Sequence, residues 1–191
     1  TTTSLRTSIT LSDDTTSAIH IRITDDAGNV GTATTQAYTH DDTAPTQTYS
    51  SVDISADTGT SDSDFETKTA AQTLTATLSA ALASDDVLEV SVDAGSSWSD
   101  KTSSVTSTSL STSITLSGTS AIHIRITDDA GNVGTADTTS YVLDTTAPTI
   151  TYSNVAISAD TGTSGSDWET KTAAQTLTAT LSAAMESDDV L

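Results

Sequence analysis

The residues of this chain best suited to chemistry are aspartates and asparagines gathered in short, glycine-containing turns. Asp128, Asp129 and Asn132 lie in DDAGN, a motif already present as Asp25, Asp26 and Asn29. Asp41 and Asp144 stand just before two Thr-Ala-Pro sequences. Asp57 and Asp64 lie in DTGTSDSD, which returns as DTGTSGSD with Asp160 and Asp167. Calcium takes about six to eight oxygens at about 2.3–2.6 Å, a set that loop carboxylates, amides and backbone carbonyls can supply. Two carboxylates about 4 Å apart repel by about 1 kcal/mol in water and about 4 kcal/mol at an effective dielectric of 20, so a divalent ion between them is stabilising. Ca2+ is therefore the expected cofactor, with these twelve residues as candidate ligands. A local reading stays open for each cluster, because Asp and Asn also favour turns by accepting hydrogen bonds from their own backbone. Asp62 is the weakest candidate, since Gly165 takes its place in the second loop. The pair Asp85-Asp86, repeated as Asp188-Asp189, reads as a turn before a strand.

Other chemistry is poorly supported. His20 and His123 occupy one equivalent strand position, with no second His or Cys beside them for a transition metal. Serine is abundant, but no nucleophile–base–acid arrangement accompanies it, and no enzyme activity is expected.

The elements that must position these turns are strands. Leu74, Ala76, Leu78 and Ala80 alternate with Thr and Ser; Leu88, Val90 and Val92 do the same, and Ile114 and Leu116 continue the pattern. Ile122, Ile124 and Ile126 give it most sharply, with His123 and Arg125 on the opposite face, and Tyr141 and Leu143 follow. Period-two alternation in a Thr-rich setting predicts half-buried antiparallel strands. About seven short strands per hundred or so residues predict an all-β, immunoglobulin-like antiparallel β-sandwich. Trp98 is expected to cover one end of the core as a packing residue.

The sandwich is expected to occur in tandem. AIHIRITDDAGNVGTA runs from Ala18 and again from Ala121, an offset of 103 residues (121 less 18), and TAPT at Thr43 recurs at Thr146. That period is too long for a solenoid unit of about 20–50 residues and fits whole domains. Residues 1–45 read as the later part of one repeat, 46–149 as a complete repeat and 150–191 as the start of another. The two partial units are expected to be completed end to end by a neighbouring molecule, or to be a window on a continuous fibre. Proline at 45 and 148 restricts both its own φ and the residue before it, so the joints are predicted to be short and extended.

Composition sets the partners. Among 191 residues, 26 Asp+Glu against 6 Lys+Arg give a formal net charge of -20, which disfavours nucleic acid and anionic membrane surfaces and favours cations. No apolar run approaches the roughly 20 residues of a membrane-spanning helix, so direct membrane insertion is not expected. Aromatics are 4% and cysteine is absent, so a thin core must find support other than disulfides, and bound metal is the natural substitute.

DDAGNVG, a final strand, DTTAPT and ISADTGTSGSD together resemble the bacterial Ig-like extender repeats of giant repeats-in-toxin (RTX) adhesins, especially those of marine bacteria. The resemblance covers essentially the whole chain. It implies an extracellular, type I-secreted stalk of tandem sandwiches, rigidified by calcium at domain ends and joints, that carries an adhesive tip away from the cell. The glycine-rich nonapeptide repeats and the EF-hand spacing are absent. At the first joint Tyr38, His40 and Asp42 stand where Tyr141, Leu143 and Thr145 stand later, which makes strand alternation there less secure. The alternative is a multivalent module whose copies each bind a glycan, a surface or ice weakly.

Overall fold

A computed structural model of the chain describes residues 3–12, 15–186 and 189–191. It is nearly all β, with one short 3₁₀ turn, Thr102–Ser104, and no α-helix among the described residues. Two compact units divide it, Thr1–Thr145 and Thr146–Leu191.

In the first unit the strands are β1 (Thr15–Ile21), β2 (Thr34–His40), β3 (Tyr49–Ile54), β4 (Glu66–Thr67), β5 (Ala71–Leu78) and β6 (Val87–Ser91). They continue as β7 (Ser99–Asp100), β8 (Val105–Thr106), β9 (Ser109–Thr115), β10 (Thr119–Thr127) and β11 (Asp137–Leu143). The second unit holds β12 (Tyr152–Ile157) and β13 (Leu177–Leu181).

Between residues 46 and 145 two sheets share one core, consistent with a β-sandwich. Their orders are β3-β5-β9-β8 and β4-β11-β10-β6-β7. Alternation decides which side of each strand faces inward. Leu74 and Leu78 of β5, Leu110 and Ile114 of β9, and Ile122, Ile124 and Ile126 of β10 are all buried in one cluster with Leu88, Val90 and Tyr141. The outward residues alternating with them are Thr, Ser, His, Arg and Glu, so a slip of one residue would turn the apolar groups towards water.

The sheets are antiparallel except at one place. β4 pairs parallel to β11, Glu66 beside Val142 and Thr67 beside Leu143. The chain leaving β3 crosses to the other sheet there, and a loop tied to a buried amide guides it. Gln72, 4% exposed, accepts from the Ala56 N–H (2.8 Å) and donates to the carbonyls of Ala56 (3.0 Å) and Thr69 (2.7 Å). Such a satisfied buried amide holds the loop without a desolvation penalty.

The copies repeat the local geometry. β1–β2 carries the register of β10–β11, with Ile19 opposite Gln36 as Ile122 is opposite Thr139. His40 ends β2 in that register, so the altered first joint keeps its strand pairing. β12–β13 repeats β3–β5, including the irregularity between Ser153 and Ala156 that matches Ser50 and Asp53.

Trp98 does not cap the core. It lies on the outer face of the five-stranded sheet, where the Arg125 guanidinium sits 3.7 Å above its ring and His123 meets it edge-on at 6.2 Å. Arg125 and His123 point outward because the intervening isoleucines point in, and Glu89 on the neighbouring strand pairs with Arg125 at 2.8 Å.

Tyr141 spans the core with its hydroxyl at one end. The O–H donates to the Val92 carbonyl (2.7 Å) and accepts from the Ser117 N–H (3.2 Å). Tyr141→Phe leaves both backbone groups short of a partner, so chemical denaturation is expected to show a loss of about 1–3 kcal/mol with an unchanged m-value.

Candidate functional site

Most acidic residues of the middle sandwich lie in turns at its ends, because strand faces are largely committed to the core or to Thr-rich sheet surface. At one end, the turn between β10 and β11 is built on Asp128. Its Oδ1 accepts the Asn132 N–H (2.7 Å) and its Oδ2 accepts the Asn132 side-chain amide (2.9 Å), while Gly131 supplies the left-handed residue at φ 92. Asp25 and Asn29 repeat both bonds at 2.7 and 2.9 Å. The Asn132 bonds hold Asp128 below the usual carboxylate range, and the Asn29 bonds do the same for Asp25. Asp129 and Asp26 lie exposed beside them. In these turns each oxygen of the leading aspartate accepts a hydrogen bond from the local asparagine, as the local reading of the motif expects.

The same turn grips the joint that precedes the sandwich. The Asn132 amide donates to the Asp41 carbonyl (3.1 Å), while Asp41 Oδ1 accepts the Thr43 N–H (3.0 Å). Gly134 then lies so close to Pro45 that a Cβ there would sit 2.6 Å from the Pro45 carbonyl oxygen. Only glycine allows that approach. Gly31, its copy, has as its nearest such neighbour the Ile23 carbonyl oxygen at 3.3 Å.

At the other end lies the loop between β3 and β4. Asp57 Oδ2 accepts the Phe65 N–H (2.9 Å), and Asp64 Oδ1 accepts the Glu66 N–H (3.1 Å). Phe65 is held at φ 62, a conformation costly for an aromatic residue. Asp57 Oδ1 is shut off from solvent with no hydrogen-bond partner. In the second unit Asp160 Oδ2 accepts from Trp168 N–H (3.2 Å), Asp167 Oδ1 from Glu169 N–H (3.1 Å), and Trp168 stands at φ 65. Asp160 Oδ1 is likewise buried and unpartnered. An orphaned buried acceptor costs about 1–3 kcal/mol, and more when charged.

The strand leading to the downstream joint lies beside this loop. Val142 donates to the Phe65 carbonyl (3.0 Å) and Asp144 N–H to the Thr67 carbonyl (3.0 Å). This changes the grouping that the sequence leads one to expect. The last hairpin and the joint that follows it do not share an end, because β11 carries the chain across the sandwich between them. Each described joint instead has its own partner, Asp41 the following hairpin and Asp144 the preceding first loop.

No protein-family model and no curated protein matches this chain.

A hard cation fits the Asp57 loop better than the Asp128 turn. The loop offers an unengaged carboxylate oxygen, in two copies, whereas Asn132 occupies both Asp128 oxygens. No group of three or more His, Cys, Asp or Glu side chains positioned for a metal occurs among the described residues. An ion at Asp57 would draw its other oxygens from carbonyls, hydroxyls and water. Asp86 serves its turn, with Oδ2 accepting the Ala83 N–H (2.9 Å), and Asp189 Oδ2 takes the Glu186 N–H (2.9 Å) in the same way; Asp188 lies outside the described residues.

Gly134 and the positive φ of Phe65 and Trp168 were not singled out from the sequence. Their signal was faint but present: a glycine and an aromatic held at the same place in each copy, where spacing alone gave no reason for either.

Two outcomes follow from these turns. Gly134→Ala should speed hydrogen exchange in peptides spanning residues 40–48 while leaving β10 protected; Gly31→Ala, with more room, should change exchange far less. Asp93 accepts from the hydroxyls of Ser97 and Ser91 and from the Ser97 N–H, which lower its pKa to about 2. Its contribution to stability is present above the ordinary value of 3.8 and lost as pH falls through about 2. The gap in melting temperature between the parent and Asp93→Asn should therefore narrow as the pH is taken down through that window.

Proposed function

We propose that this chain is a structural extender: tandem immunoglobulin-like sandwiches in a long extracellular bacterial adhesin, stiffened by calcium and acting by holding its ends apart. The observation that carries this reading is the gripped joint, where Asn132 bonds to the Asp41 carbonyl and Gly134 packs against Pro45. A linker held by hydrogen bonds and close packing transmits orientation, as a spacer requires and a flexible tether does not. The 103-residue repeat, from Ala18 to Ala121, adds length by copying. An extracellular location, with neighbouring repeats as partners, belongs to the same proposal and is supported by the resemblance to RTX adhesin repeats.

Calcium enters through Asp57 and Asp160. Each loop holds a buried carboxylate oxygen with no donor, and a divalent ion would satisfy it. Asp57 and Asp64 are the ligands we assign in the complete repeat, with Asp160 and Asp167 in the next. Bound calcium would neutralise part of the net charge of -20 and fix the loop beside the downstream joint. Millimolar calcium matches the affinity of extracellular modules, about 10⁻⁴ to 10⁻³ M.

A ligand-binding module finds less support. The aromatic residue of the complete repeat best suited to stacking on a sugar, Trp98, has one face covered by Arg125.

Calcium at about 100 times its dissociation constant adds about 2.7 kcal/mol, or about 5–11 °C in melting temperature for a chain of this size. That rise should appear in calorimetry and vanish in excess EDTA, with a matching loss of maximum dimension in small-angle scattering. Asp57→Asn keeps an acceptor for Phe65 but removes the charge; it should leave the melting temperature in EDTA unchanged or higher and reduce the calcium-dependent rise. A melting curve and scattering profile indifferent to EDTA would discard the calcium-stiffened stalk.

A further inference from the structure

Residues 46–88 and 149–191 are the same stretch of two successive repeats, and they differ at only 7 of 43 positions. Four of those differences fall together in space. Ser51, Asp53, Asp62 and Phe65, which become Asn154, Ala156, Gly165 and Trp168, all line one cavity of about 460 Å³ in the middle sandwich, with Val52, Ser63 and Thr75 as its other walls. The remaining differences, at Gln47, Leu82 and Ala83, lie outside it. Unconstrained drift would scatter changes over the many Thr and Ser of the stretch, of which only Ser51 changes. The variation is gathered where a ligand would be read.

The cavity sits at the outer edge of the four-stranded sheet. β3 is the edge strand, and the irregularity between Ser50 and Asp53, with Ser51 at φ 50, breaks its ladder there. A bulged edge resists the addition of another strand, so the space suits a compact ligand rather than an extended chain. Val52 and Phe65 supply its apolar wall, and both also pack against the core cluster. Phe65 is fixed in place by its N–H bond to Asp57. Asp53 and Asp62 add two carboxylates. Asp53 Oδ1 accepts its neighbour's Ile54 N–H (2.8 Å), and neither carboxylate has an ion-pair partner among the described residues.

That combination recognises a positive charge on a short aliphatic body. Carboxylates take an ammonium group through charge-assisted hydrogen bonds, methylenes lie against Val52, and an aromatic ring such as Phe65 attracts a cation further. We propose that this cavity binds a small organic ammonium ion, an alkylamine or alkyl diamine, with Asp53 and Asp62 as its counter-charges. The equivalent positions of the next repeat, Ala156 and Gly165, carry no charge, so the preference for a cation belongs to the middle copy and the two copies differ in what they select. The inference goes beyond the extender reading and does not rest on calcium, which that reading assigns to Asp57 and Asp64.

The test is an amide-resolved NMR titration of the whole chain in EDTA at low salt, with the alkyl diamine cadaverine as the probe. Saturable shifts should appear at Val52, Asp53, Ser63, Phe65 and Thr75 and be absent with the neutral analogue pentanediol. Asp53→Ala and Asp62→Gly install the residues that the next repeat carries at those positions, where β12–β13 keeps the register of β3–β5, so the melting of the middle sandwich should match the parent. Each should weaken binding about 3-fold and the two together about 10-fold. Asp85→Asn, at an exposed acid that does not line the cavity, should leave the affinity unchanged. Shifts spread evenly over the acidic turns, equal shifts from ammonium chloride at the same charge, binding of a lysine-containing peptide without binding of cadaverine, or an affinity unmoved in the double variant would each overturn the proposal. The calcium-dependent rise in melting temperature is read without the amine and stands or falls separately.

Discussion

One thin apolar layer governs this molecule. The longer strands between residues 46 and 145 (β3, β5, β6, β9, β10 and β11) contribute inward side chains, and they meet those of the opposite sheet in a single cluster. With few aromatics available, the layer is mostly Leu, Ile, Val and Ala around Tyr141, and each large aliphatic member buried adds about 1.5–3 kcal/mol. Inward positions are spent on that layer and outward ones are mostly Thr and Ser on a wet sheet surface. Acidic residues are left largely with the turns at the two ends, and so the ends carry what specialised chemistry the chain has.

The same residue type does two different things there. Asp25, Asp93, Asp100 and Asp128 accept bonds from nearby N–H and O–H groups, and those bonds hold their carboxyls below the usual range. As ions they stabilise the turns they sit in. Asp57 and Asp160 each spend one oxygen on the N–H of an aromatic residue at positive φ and leave the other buried and unmet. Clustered acid is thus a poor guide by itself; the number of donors already committed to each oxygen distinguishes a finished turn from a loop open to a cation.

Much of the fold was legible because alternation is a local property. Leu74 to Leu78 and Ile122 to Ile126 declare a buried face within a few residues, and the turns at Asp93-Ala94-Gly95 and DDAGN fall where their glycines require. Less legible was anything that depended on which strands become neighbours. The parallel pairing of Glu66 and Thr67 with β11, the stacking of Arg125 on Trp98 and the closeness of Gly134 to Pro45 join residues far apart in the chain, and no local period records such partnerships.

By itself the sequence determined that the chain is β-rich, that its units are near copies 103 residues apart from Ala18 to Ala121, and that its acid lies in turns, because side-chain period, repetition and turn chemistry act over short distances along the chain. Only the tertiary structure decided which joint meets which turn. An antiparallel strand carries the chain from one end of the sandwich to the other, so the hairpin at 128–132 falls beside the joint at 41–45 and the loop at 57–65 beside Asp144. Strand direction in the assembled sheets sets those neighbours, and it exists only once the sheets have formed.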